Sequence, residues 1–191
     1  MNSADEPCFD VERWGHVELF TNKPEESLDF FVNVYGLTES GREGDSVYLR
    51  AFDDYEFHTL KLTTSKSTGM GHVAYRTSSQ QALERRVKVI EEMGCGIGWK
   101  EGDLGHGRAY RFHDPDGHIF ELYYDTNKYV APEAERPALK NLAQRYHGRG
   151  VCVRRLDHLN LLASDVTAIR EFMTKALGSR VTEQIQLNNG R

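Results

Sequence analysis

The sequence predicts an α+β fold built from repeated strand–helix–three-strand units. Three observations carry that expectation. A histidine sits inside a short strand-like run three times: Trp14-Gly15-His16-Val17-Glu18-Leu19, Met70-Gly71-His72-Val73-Ala74-Tyr75 and Leu156-Asp157-His158-Leu159-Asn160-Leu161. Each run is followed by a polar stretch and an amphipathic segment that a glycine stops. Gly36 follows His16 by 20 residues, Gly178 follows His158 by 20, and Gly94 follows His72 by 22. Self-similarity at a near-constant interval marks a repeated architecture.

Each element has its own signal. In the first unit Glu25 and Glu26 open a helix whose apolar set is Leu28, Phe31, Val32 and Tyr35, and Gly36 supplies the left-handed cap. Strand-like runs follow at Ser46–Phe52 and Phe57–Thr63. The second unit has a helix over Gln80–Met93, then strands at Gly96–Lys100, Gly107–His113 and His118–Tyr124, the last entered through the turn Asp114-Pro115-Asp116-Gly117. The stretch Gly102–Gly107 reads as a flexible hairpin connection, because no helix follows it as a phosphate loop requires. Residues 129–153 read as a linker with a short helix near Leu139–Tyr146. The third unit has Ala168, Ile169, Phe172, Met173 and Ala176 before Gly178, then a strand at Val181–Leu187 leading into Asn188-Asn189-Gly190. Asn-Gly is a hairpin signal, and the strand that should return is absent, so the chain reads as a fragment of a longer protein. The expected organisation is a domain over 9–128 with modules at about 13–64 and 70–126, the linker 129–153, and an incomplete module over 154–191.

Composition narrows the function classes. The chain has 191 residues, 39% hydrophobic and 28% charged, with a formal net charge of −5 and scattered Lys and Arg. That argues against a nucleic-acid face. No apolar run approaches the ~18 residues of a membrane span. Cys8, Cys95 and Cys152 have no CxxC spacing, so neither a disulfide framework nor a zinc knuckle is expected, and a cytoplasmic protein fits. Cys95 reads as inert packing, and Arg85, Arg86 and Lys88 as the solvated face of the second helix.

Strand alternation sorts the side chains into two faces. Val17 and Leu19, Val73 and Tyr75, Leu159 and Leu161, and Phe120 and Leu122 form apolar faces for the helices. His16 and Glu18, His72, His158 and Asn160, and Glu121 then point to the other, concave face. Two histidines and one carboxylate on one face are the ligand set of a non-haem Fe(II) site, which leaves positions open for substrate and oxygen.

The repeated unit and Asp114-Pro115-Asp116-Gly117-His118-Ile119-Phe120-Glu121-Leu122 resemble the vicinal oxygen chelate superfamily, with its glyoxalase/bleomycin resistance/dioxygenase fold. Arg13–Leu19, Val47-Tyr48-Leu49-Arg50-Ala51 and Arg155–Asn160 resemble type I extradiol ring-cleavage dioxygenases of the catechol 2,3- and homoprotocatechuate 2,3-dioxygenase kind. The resemblance implies paired modules forming an open, cup-shaped mixed sheet with helices outside. It implies an Fe(II) enzyme, with Mn(II) the alternative, that opens a catechol-type ring beside the diol using O2, and a tendency to homo-oligomers. His158 matches the first metal ligand of the C-terminal catalytic domain, and Asn160 a neighbour behind it. The remaining ligands and the acid–base residue would lie beyond Arg191, so the chain as it stands is expected to be inactive. His16, His72 and Glu121 occupy ligand-equivalent positions in the N-terminal copy. Two other readings stay open: a single-domain glyoxalase-like metalloenzyme using those three residues, and a metal-free binding module. Against the first, Lys61 stands where a carboxylate would be expected.

Overall fold

The computed structural model describes residues 9–137, 139 and 148–185. Its centre is one eight-stranded mixed sheet: β1 (Val11–Thr21), β2 (Thr38–Glu43), β3 (Ser46–Arg50), β4 (Leu60–Thr64), β5 (Gly69–Thr77), β6 (Gly96–Lys100), β7 (Ala109–His113) and β8 (Ile119–Tyr123). The strand order is β2-β3-β4-β1-β5-β8-β7-β6. Each unit thus folds alike, its first strand lying parallel to its own last strand, β1 with β4 and β5 with β8. The two units meet where β1 pairs antiparallel with β5, placing Glu18 opposite His72.

Helix α1 (Pro24–Asp29) runs on into a π turn over Phe30–Val34. Helix α2 (Gln80–Glu92) starts at Ser79, whose hydroxyl accepts the Ala82 N–H at 2.9 Å. Helix α3 (Val166–Leu177) starts at Asp165 and ends at Gly178 in the left-handed region, φ 69°. The apolar faces pack as alternation predicts: Val17, Val73, Tyr75, Phe120 and Leu122 share one core with Leu83, Val87 and Ile90 of α2 and with Phe172, Ala176 and Leu177 of α3.

Four sequence expectations change. Strand β2 has no apolar alternation and was not expected; it pairs with β3 at the sheet edge, where charged residues are ordinary. The third histidine run, 156–161, is irregular chain without ladder pairing. A strand exists only through a partner, and none of the described residues offers one there. Its alternation survives nonetheless, since Leu159 and Leu161 pack against the core while His158 and Asn160 are exposed. Residues 181–185 likewise form no strand, and the Asn188-Asn189-Gly190 turn lies outside the described residues. Of the helix expected near Leu139–Tyr146, all but Leu139 lies outside them too. Finally, Arg86 is not merely solvated: it pairs with Asp10 at 2.7 Å and donates to the Lys175 carbonyl of α3 at 3.3 Å.

Candidate metal centre

The face of the sheet away from the helices carries a buried polar cluster. His16 from β1, His72 from β5 and Glu121 from β8 are brought together there, as the alternation requires. Two histidines the sequence did not single out join them: His58, just before β4, and His106, in the loop before β7. All five are buried. Glycine precedes both strand histidines for a steric reason. A Cβ at Gly15 would overlap the Tyr123 hydroxyl, and one at Gly71 would overlap the Glu18 carboxylate.

The hydrogen bonds assign roles. Nδ1 of His72 lies 2.8 Å from Glu18 Oε2, while its Nε2 meets Nε2 of His16 at 3.0 Å. Burial alone would raise the Glu18 carboxyl, but bonds from His72 and Thr63 and the nearby Lys61 outweigh it and hold it at about 2. Glu18 is therefore ionised, and His72 Nδ1 is the donor. His106 Nδ1 lies 2.9 Å from the Gly107 carbonyl, which can only accept, so this nitrogen also carries its proton. Arg111 Nε donates to Glu121 Oε2 at 2.7 Å. What remains is His106 Nε2 facing Glu121 Oε1 at 3.5 Å, both buried and both without a hydrogen-bond partner among the described residues. Burial, then the neighbouring His58, His72, His106 and Lys61, pushes His16 well below its ordinary value. Burial first, then His106, brings His58 to about 3. His16 and His58 are neutral imidazoles, the form that binds metals.

One ligand atom from each of His16, His106 and Glu121 lies within 4.8 Å of the other two. The residues present fit a divalent metal, but the set differs from the expected His16, His72 and Glu121. His72 is spent on Glu18 and His16, and His106 takes its place. The loop carrying it is not a loose hairpin: Asp103 and His106 exchange backbone hydrogen bonds, and Lys61 and the Tyr48 hydroxyl both bond the Asp103 carboxylate. No strand pattern carries His106, which lies outside β7, so alternation along the strand that sets Arg111 opposite Glu121 does not reach it. His158, by contrast, lies on the surface with its side chain 79% exposed and its Nδ1 3.3 Å from Asp157.

Fold and family agree. Residues 13–122 match the family model described as the Glyoxalase/Bleomycin resistance protein/Dioxygenase superfamily, and the chain belongs to that superfamily. Among curated proteins it is 46% identical over 181 residues to a metapyrocatechase of Geobacillus stearothermophilus, covering 95% of this chain and 55% of that one. It is 36% identical over 183 residues to a manganese-dependent 2,3-dihydroxybiphenyl 1,2-dioxygenase of Geobacillus genomosp. 3, covering 95% and 58%. Among solved structures, an extradiol ring-cleaving dioxygenase from B. fuscum superposes with a TM-score of 0.78 at 28% identity, over 97% of this chain and 50% of that chain. The chain spans little more than half the length of these relatives. Among the described residues no helix is long and apolar enough to cross a membrane.

Proposed function

We propose that this chain is the N-terminal part of an extradiol dioxygenase that opens a catechol-type ring beside its diol with O2. The observation that carries the reading is the 46% identity to a metapyrocatechase, sustained across 95% of the chain. The domain over 9–128 is then the first half of a two-domain enzyme, joined through residues 129–153 to a catalytic domain that begins at 154. His158 is the first of three protein ligands to divalent iron, with Asn160 behind it and the other ligands and the acid–base residue beyond Arg191. Iron supplies a template and an electron path between diol and dioxygen when bound. This chain's own part is to present the His158 imidazole and to hold the 156–161 segment against the core through Leu159 and Leu161. Homo-oligomers and a cytoplasmic location go with the same reading. The glyoxalase-like alternative needs a carboxylate where Lys61 stands, and Lys61 is committed to Asp103, with Glu18 3.6 Å away.

The test is oxygen uptake and ring-opened product with catechol, measured on the product of the complete reading frame and on its His158→Ala variant. Activity is expected in the former. The variant should lose more than about 100-fold, because a missing ligand costs more than the 10–100-fold of an outer contact. Full activity in the variant, or no ring opening by the complete protein, would overturn the proposal.

A further inference from the structure

We propose that the histidine cluster of the N-terminal sheet is a metal centre in its own right, a divalent transition-metal site held by His16, His106 Nε2 and Glu121 Oε1.

The first argument is the pair of orphaned acceptors. His106 has given its ring proton to the Gly107 carbonyl, and Glu121 has given its other oxygen to Arg111. The lone pairs left over face each other at 3.5 Å inside the protein, with no donor for either among the described residues. Leaving a buried polar group unmade costs about 1–3 kcal/mol, and here two such groups point at one spot. A cation at that spot turns the repulsion into two bonds.

Spacing is the second argument. Metal–nitrogen and metal–oxygen bonds of about 2.1 Å put adjacent ligand atoms roughly 3.0–3.4 Å apart in octahedral or tetrahedral sites. The 3.5 Å between His106 Nε2 and Glu121 Oε1 is close to that, and the ligand atom of His16 lies within reach of both.

The third argument is how the ligands are held. Metal-binding histidines donate their second ring nitrogen to a carbonyl or carboxylate, which fixes the ring. His106 does so to Gly107, and His16 is braced by His72, itself anchored on Glu18. Arg111 fixes the carboxylate from its far side. Two imidazoles and one carboxylate suit iron, manganese, cobalt or zinc rather than calcium or magnesium. The set does not include His158, so this inference stands independently of the ring-cleavage reading.

The 191-residue chain, stripped with chelator, is titrated anaerobically with Co(II), reading visible d–d absorption, bound metal per chain and the melting temperature. One Co(II) per chain is expected, with nitrogen-ligand bands and an upward shift in melting. His106→Gln and Glu121→Gln should each weaken uptake by more than about 100-fold, while the variant His113→Gln, at an exposed histidine, leaves it unchanged. Circular dichroism of the metal-free variants shows whether they remain folded, and the wild-type melting shift reads the site even if one variant does not. No uptake by the wild-type chain, uptake lost equally in His113→Gln, or wild-type affinity in a folded His106→Gln would each overturn the proposal. Ring cleavage by the complete protein tests the functional reading and leaves this one untouched.

Discussion

At the level of single residues, the alternation of side chains along a strand was enough to place His16, His72 and Glu121 on one face. His106 and His58 escaped because neither lies within a regular strand. Loop positions follow from tertiary bonds, here Asp103 to Lys61 and Tyr48, which no local pattern announces. Lys61 illustrates the dependence: its side chain is 12% exposed and its charge is met by Asp103 and Glu18. Removing one member of a buried pair strands the other, at about 3–5 kcal/mol when fully buried. The residual exposure lowers that expectation to about 1–3 kcal/mol for Asp103→Ala. Urea unfolding of Asp103→Ala and of the double variant Asp103→Ala/Lys61→Met checks the cause. The double variant should regain part of the loss; if it is no more stable than the single one, the stranded ammonium is not the reason.

Among the elements, helix boundaries were more legible than strands. Gly36, Gly94 and Gly178 as helix stops are local chemistry visible in sequence, whereas the caps Ser79 and Asp165 emerge only in the structure. Strands depend on distant partners, which is why β2 carries no local signal and why the 156–161 run, with no partner among the described residues, forms no ladder. The two glycines that end the first and second helices separate backbone cost from packing cost. Both sit in the left-handed region, at φ 78° for Gly36 and 71° for Gly94. A Cβ at Gly94 meets nothing within 4 Å, whereas one at Gly36 would run into the Arg149 carbonyl of the segment that crosses α1. That segment is docked, with Val151 N–H on the Val34 carbonyl at 2.9 Å and Phe52 N–H on the Val153 carbonyl at 2.9 Å. Gly94→Ala should therefore cost about 1 kcal/mol, the backbone penalty alone. Gly36→Ala should cost clearly more, and should raise hydrogen exchange at Val151, whose amide depends on the crossing. Equal losses in thermal melts of the two variants would mean that the crossing segment yields freely.

For the molecule as a whole, the repeat made the paired-module sheet predictable, because two copies of one unit can bury their first strands against each other only at the centre. What the repeat did not foretell is how the third unit behaves without sheet partners among the described residues. Its helix does not hang free. Phe172 is buried, its ring 6.2 Å from Phe112 and 6.5 Å from Phe120. Ser164 bonds Asp116 in the β7–β8 turn, and Arg86 of α2 donates to the Lys175 carbonyl. Among the described residues, 164–177 thus add to the core that the sheet and α2 share. If so, Phe172→Ala should destabilise the entire chain by about 3–5 kcal/mol, the cost of emptying an aromatic site in a packed core. Denaturant unfolding followed by Trp14 and Trp99 fluorescence reports on the sheet alone, since both tryptophans lie in it. A single transition shifted to lower denaturant is the expected result, with trypsin cutting at Arg170 and Lys175 no earlier than within the sheet. An unchanged fluorescence transition, with early cleavage confined to α3, would mean that the helix is an appendage whose proper partners lie elsewhere.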